Sequence, residues 1–433
     1  MKKPKPNSTS TTHEQSSLGP GYQQGKWWVP NANLDYRDPP HRPRPRSIEL
    51  FDVTLREGPQ HYPIILDADD MVRLAEASAS LGVKRIDVWP VVSEATRAAM
   101  KRIAATLPQL EMFCPFRPNV LDDLDQAEQH GARGVVLLIP SIQPAVLQRS
   151  PEPDYSHRLD AAWKAAETAR SRGLRVVAGT GGSFRPEPEA LASFYRGAAN
   201  AGVEAVTIAD SLGAAAPWAV ESLVRKVRDW VGPDMRIEIH CHNDLGLATA
   251  NSLAAVQAGA DVVHAALNGY GERAGNASLE EVAVGAEALL GVSTGLDLSR
   301  LTEVCRLAAE ITRVPLSHNK PVVGSWQSVG WTGLQVEWRR DMSKAGYPEA
   351  WFAVMPDVVG AEPGRFELGP MVGGGLVKLK AEELDLDLPD ELVPVLRDDI
   401  KRISTERHTP IGDTEFRQMV EAGRQRLQTA GSA

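Results

Sequence analysis

What most limits the fold of this chain is a rhythm. From residue 47, short runs rich in β-branched residues alternate with amphipathic helical stretches, and the alternation repeats eight times before residue 292. The strand-like runs are Ile48–Val53, Arg85–Val88, Glu111–Cys114, Gly134–Ile139, Leu174–Ala178, Ala205–Ile208, Arg236–Cys241 and Asp261–Ala266. Between them, stretches such as Asp69–Leu81, Asp160–Arg172 and Ala216–Trp230 carry apolar residues at helical spacing. Two architectures suit strands separated in this way: the closed (β/α)8 TIM barrel and the open, doubly wound sheet. Eight units in roughly 250 residues is the size of the closed form. The open form places a glycine-rich dinucleotide fingerprint after its first strand, and here that strand runs into Thr54-Leu55-Arg56-Glu57. The expected fold class is α/β, a TIM barrel over residues 47–292.

The flanks differ from this core. Residues 1–46 are rich in Ser, Thr, Pro, Lys and Arg, too polar to bury an ordering core, and read as a disordered extension. The pair Trp27–Trp28 is the exception and could dock on the body or on a partner subunit. Past residue 292 the pattern becomes helices broken by Pro and Gly, with Pro356–Gly375 loop-like and helices expected near Pro389–Ile403 and Thr414–Gln428. Residues 293–433 therefore read as a helical appendage. A net charge of −9 argues against binding to nucleic acid or to an anionic membrane, which need a basic field. No apolar run is long enough to span a bilayer. Three scattered cysteines and an N-terminus without an apolar signal core point to a reducing, cytoplasmic location.

Three motifs carry chemistry. Asp52-Val53-Thr54-Leu55-Arg56-Glu57-Gly58-Pro59-Gln60 closes the first strand, at the barrel face where active sites sit. The Arg56–Glu57 pair has two readings, part of a site or an ion pair on the rim. His240-Cys241-His242-Asn243-Asp244 closes the seventh strand. Residues i and i+2 of a strand share a face, so His240 and His242 project together and are suited to one cation. The third motif, Asn268-Gly269-Tyr270-Gly271-Glu272-Arg273-Ala274-Gly275-Asn276, is a glycine-rich loop without a P-loop Lys-Ser/Thr pair.

Taken together and in this order, the motifs resemble those of the 2-isopropylmalate, homocitrate and citramalate synthases, with HMG-CoA lyase a more distant relative. Asp210-Ser211-Leu212-Gly213 and Asn319-Lys320-Pro321-Val322-Val323-Gly324 add to the resemblance, which covers residues 47 to about 400. It implies a metal-dependent enzyme that condenses an acyl-CoA, acetyl-CoA first, with a 2-oxo acid. The implied ligands are Glu57, His240, His242 and Asn276, an O/N set that suits Mg²⁺ or Mn²⁺ and also admits Zn²⁺ or Co²⁺. Arg56 would stabilise the developing alkoxide, Asp52 would orient that Arg or its strand, and Gln60, Arg185 and Ser211 would contact substrate. A homodimer is also implied.

Departures from the family pattern cluster where substrate would bind. An ungapped reading puts Val136 where relatives carry a His on the fourth strand, and Gly181-Gly182 where they carry Glu-Asp. Ser183-Phe184-Arg185 resembles the homocitrate synthases, in which the Arg holds a distal carboxylate. Gln335 stands where the family's proton-transferring His is expected, and Gln carries no titratable proton. The acceptor is therefore expected to be a non-standard oxo acid. The rival readings are a metal-dependent carbon–carbon lyase and a non-catalytic metal-binding paralogue. Against the HMG-CoA lyase form, the loop after the eighth strand has no Cys.

Overall fold

The computed structural model describes residues 22–30, 45–139 and 155–431. Chain contacts divide it into two compact units: Ala32–Ser317, and His318–Ala433 together with Met1–Asn31. Most of the N-terminal extension expected from the sequence lies outside the described residues.

The first unit is the expected TIM barrel. Its strands are β1 (Glu49–Asp52), β2 (Arg85–Asp87), β3 (Glu111–Phe116), β4 (Gly134–Ile139), β5 (Arg175–Thr180), β6 (Ala205–Asp210), β7 (Arg236–Cys241) and β8 (Val262–Ala265). All neighbours are parallel, and β8 pairs with β1 to close the cylinder. Helices α1 (Ala68–Leu81), α2 (Glu94–Thr106), α3 (Asp122–Gln129), α4 (Tyr155–Ser171), α5 (Pro188–Asn200), α6 (Pro217–Val231), α7 (Ala248–Ala258) and α8 (Leu279–Leu290) follow the strands in turn. Local chemistry sets their ends. Asp67 caps α1 by accepting from the Asp70 amide at 2.8 Å, and Gly82 ends the helix in the left-handed region that favours glycine. The helix α9 (Leu301–Thr312) packs on α1 and belongs to this unit.

Inside the barrel, Phe51, Phe113, Val136, Val177, Ala205 and Val262 form one apolar layer. Val136 is thus a core residue. Its neighbour on the same strand face, Leu138, is the one that opens to solvent, at 38% exposure.

The second unit is mostly helical. Helices α10 (Gly333–Lys344), α11 (Gly374–Glu383), α12 (Leu392–Arg407) and α13 (Asp413–Gly431) enclose a core that includes Val336, Leu376, Leu396, Ile400 and Phe416. The expected loop Pro356–Gly375 contains a 3-10 turn, Pro356–Val359, and the short strand Arg365–Phe366 beside Val329–Gly330. Trp27–Trp28 pairs antiparallel with Tyr22–Gln23 in this unit. Trp27 is buried, and Trp28 packs against Tyr22 and Tyr347 at 5.3 and 6.2 Å. Among the described residues no helix is long and apolar enough to cross a membrane.

Candidate active site

The site is built where β1, β2, β7 and β8 end. After β1 the chain turns at once into the one-turn helix Thr54–Glu57. Asp52 makes that turn: its carboxylate accepts from the Thr54 amide at 2.8 Å, from the Thr54 hydroxyl and from Ser78 on α1. Thr54 Oγ1 in turn accepts from the Leu267 amide at 2.9 Å, tying the ends of β1 and β8 together. Asp52 therefore holds the strand end, and Arg56 is oriented by another acid. Arg56 donates through Nε to Asp87 at 2.8 Å and through Nη1 to Glu57, and stays one-fifth exposed. Burial works against its charge, but Glu57 and Asp87 outweigh burial, and the guanidinium is held protonated. Burial pushes the Asp87 carboxyl up, against the pull of Arg56.

The two histidines project together as strand spacing requires. Their Nε2 atoms face each other at 3.3 Å, and His240 Nε2 lies 3.6 Å from Glu57 Oε1. Glu57, His240 and His242 are all buried, and each offers a donor atom within 4.8 Å of the others. Burial pushes both imidazoles below the ordinary histidine range. For His240 the neighbouring His242, His264 and Arg56 add to this, while for His242 Glu57 partly opposes it. Neutral imidazoles are the form that can ligate a cation.

Asn276 joins them through the glycine-rich loop. That loop runs back along the end of β7, with Asn243 N bonded to Gly275 O at 2.9 Å and His242 bridged to Asn276. Only glycine allows this path. A Cβ on Gly275 would stand 2.0 Å from Gly269 O, and one on Gly271 would stand 2.2 Å from the Asn276 amide nitrogen. Asn276 Nδ2 donates to Tyr270 O at 3.2 Å, which fixes the carboxamide and leaves Oδ1 buried without a partner. Glu57 Oε2 and His242 Nδ1 are likewise buried and unpartnered. Buried polar atoms are rarely left unsatisfied, and a carboxylate, an amide oxygen and two imidazoles together match the donor set of a divalent cation.

The predicted substrate residues lie on the rim. Gln60 is exposed and donates to Arg56 O at 3.3 Å. Ser211 Oγ accepts from the Gly182 amide at 2.9 Å. Arg185 is exposed and lines a shallow cavity with Gly182, Phe184, Asp210 and Leu212. Gly181 faces open space, since a Cβ there would meet only Ser211 Oγ at 3.8 Å. Gln335 sits exposed on α10 in the other unit. Cys241, between the two histidines, is buried and its thiol is pushed up by burial, so it is no nucleophile.

Four further residues shape the site. Asp87, the Arg56 partner, is a lone acid at a strand end. Arg273 clamps the mouth by a bidentate pair to Asp244 at 2.7 and 3.0 Å and a bond to Ser211 O at 2.8 Å. His61 bonds through Nδ1 to Gly271 O at 2.8 Å and is half-exposed. The indole nitrogen of Trp89, just past β2, is buried without an acceptor beneath the Arg117 guanidinium. Asp87 and Trp89 lie outside the three motifs, whereas Arg273 stands within the third and His61 directly follows the first.

A family model described as HMGL-like matches residues 47–308. A Methanopyrus kandleri protein assigned as an (R)-citramalate synthase is 35% identical over 392 residues, covering 90% of this chain and 74% of its own. The 2-isopropylmalate synthase of Saccharolobus solfataricus is 32% identical over 83% of this chain and 92% of its own. Among solved structures, the Bacillus subtilis HMG-CoA lyase superposes with a TM-score of 0.56 at 20% identity, over 64% of this chain and 97% of its own.

Proposed function

The chain belongs to the HMGL-like family, and from that membership we propose that it condenses an acyl-CoA with a 2-oxo acid at a divalent-cation site formed by Glu57, His240, His242 and Asn276. The names of its relatives support condensation over cleavage, since those that match most of its length are synthases. One observation carries the site assignment. Unpartnered Glu57 Oε2 is buried beside two imidazole nitrogens 3.3 Å apart, and Asn276, bridged to His242, leaves its Oδ1 buried and unpartnered too, an arrangement that costs stability unless a cation satisfies it. Mg²⁺ and Mn²⁺ suit the two oxygen donors best. A bound cation would polarise the ketone of the oxo acid as a Lewis acid.

The chain's own residues do the rest. Asp87 and Glu57 fix the Arg56 guanidinium with Nη2 outside both ion pairs, available to the oxygen that gains charge as the ketone becomes an alkoxide. Condensation removes a proton from the carbon next to the thioester, joins that carbon to the ketone carbon and protonates the new alkoxide. Water then cleaves the thioester to release CoA and a 2-hydroxy-2-alkyl dicarboxylic acid. Gln60, Ser211 and Arg185 are proposed to contact the oxo acid, with Trp89 Nε1 a further free donor. The open space at Gly181, where the family pattern has an acidic residue, favours an acceptor other than the standard oxo acids 2-oxoisovalerate and 2-oxoglutarate. The proposed assembly is a homodimer, to be checked by light scattering.

Thiol release from acetyl-CoA across a panel of 2-oxo acids, with and without a chelator, tests this reading. The reading expects release that needs both an oxo acid and a divalent ion. Release indifferent to both would overturn it.

A further inference from the structure

Beneath the candidate cation site lies a polar chain that nothing so far requires. Arg85 on β2 and Glu238 on β7 are 1% and 0% exposed, yet they sit in the apolar layer of Phe51, Phe113 and Val136. Arg85 stacks over the rings of Phe51 and Phe113, at 4.6 and 5.0 Å, and donates to Glu238 at 2.9 Å. Glu238 also accepts from His264 Nε2 at 2.8 Å and from Thr207 Oγ1 at 3.3 Å. Apolar side chains of similar volume would fill such a layer with equal or greater stability, so core filling does not explain these residues.

Geometry gives them a task. Glu238 and His240 on β7 and His242 just past its end alternate along the chain and share one face, so the carboxylate lies one layer below the first histidine. His264 on β8 is the strand-register partner of His240, and the two rings meet edge to face at 5.4 Å and 81°. On its other side His264 packs on Phe51 at 4.8 Å. The Glu238 bond fixes the rotation of the His264 ring, and that ring forms the surface on which His240 rests.

We propose that Glu238 and His264, seated on Arg85, are positioning residues that lock the orientation of His240 and so set how tightly the site holds a divalent cation. The proposal rests on the cation-site reading given above. Outer-layer partners of ligating histidines typically change metal affinity by about 10- to 100-fold when removed.

The test uses the full chain, Mn²⁺ alone as probe, and titration followed by calorimetry or by the EPR signal of free Mn²⁺. His264→Leu should weaken Mn²⁺ binding by about 10- to 100-fold. His264→Gln, which can still donate to Glu238 but lacks the ring, should fall between it and the native chain, and it guards against misfolding of the Leu variant. Thermal unfolding of the metal-free variants gives the separate structural effect. Variants that lose stability but bind Mn²⁺ within twofold of the native chain would overturn the proposal and leave the cation-site reading intact. A native chain that binds no divalent ion would overturn both.

Discussion

Replacing Arg56 with lysine keeps the positive charge and removes the planar fork, which makes it the sharpest probe of the reaction. The guanidinium serves two buried carboxylates at once, Asp87 through Nε at 2.8 Å and Glu57 through Nη1, and keeps Nη2 outside both pairs. A lysine ammonium is a single point on a flexible stem and cannot hold that geometry. Losing one fixed donor to a developing oxyanion costs about 10²- to 10³-fold in kcat, or roughly 3–4 kcal/mol. Folding suffers less. Asp87 Oδ1 already lacks a partner, and loss of the Nε bond removes a charge-assisted hydrogen bond of about 1.5–3 kcal/mol, partly offset by the lysine charge. At about 2–4 °C per kcal/mol the variant should melt several degrees lower and still be fully folded at 25 °C. The assay is kcat from thiol release at saturating substrates, alongside the melting curve and Mn²⁺ affinity. Turnover within threefold of the native value would refute the catalytic role and return Arg56 to a rim ion pair.

His242→Ala should strip the cation and abolish turnover, and full metal occupancy in that variant would contradict the ligand assignment. Gly181→Glu should fold normally, because a Cβ there meets only Ser211 Oγ at 3.8 Å, but should lower turnover of the native oxo acid; an unchanged acceptor profile would remove Gly181 from the pocket. His240 is held below the ordinary histidine range by burial, so as pH falls through about 6.5 the unfolded chain takes up protons that the folded chain refuses. Stability of the metal-free protein should then fall on acidification, by up to about 1.4 kcal/mol per pH unit for each such histidine. His240→Gln should flatten that slope, and parallel slopes for the two proteins would contradict the linkage. Cys114, Cys241 and Cys305 are all buried, so thiol reagents should leave the native protein unmodified; rapid labelling would show an open barrel.

The barrel was legible because parallel strands covered by helices read as continuous apolar runs. Gly134–Ile139 is such a run and matches its strand residue for residue. The histidine pair of the candidate cation site was legible for a local reason, since two histidines at strand spacing must share a face. Other features depend on the three-dimensional register. Arg85 meets Glu238 across 153 positions of sequence, and Asp87 meets Arg56 only because β1 and β2 are neighbours. Which of Val136 and Leu138 reaches the mouth is decided by barrel stagger. Trp27 is buried because the ribbon at Tyr22–Trp28 packs beside the turn at Pro348–Ala350, in a segment whose composition predicts no order.

The central claim is that this chain makes a carbon–carbon bond between an acyl-CoA and a 2-oxo acid. Acetyl-CoA labelled with ¹³C in both acetyl carbons, incubated with Mn²⁺ and a pool of 2-oxo acids labelled with ¹³C at the ketone carbon and analysed by mass spectrometry and NMR, tests it directly. The account predicts a labelled 2-hydroxy dicarboxylic acid whose ¹³C methylene couples to the former ketone carbon, formed in equal amount to the free CoA and lost with chelator. Labelled acetate as the sole product, or cleavage of a 2-hydroxy acid with no condensation in either assay, would contradict it.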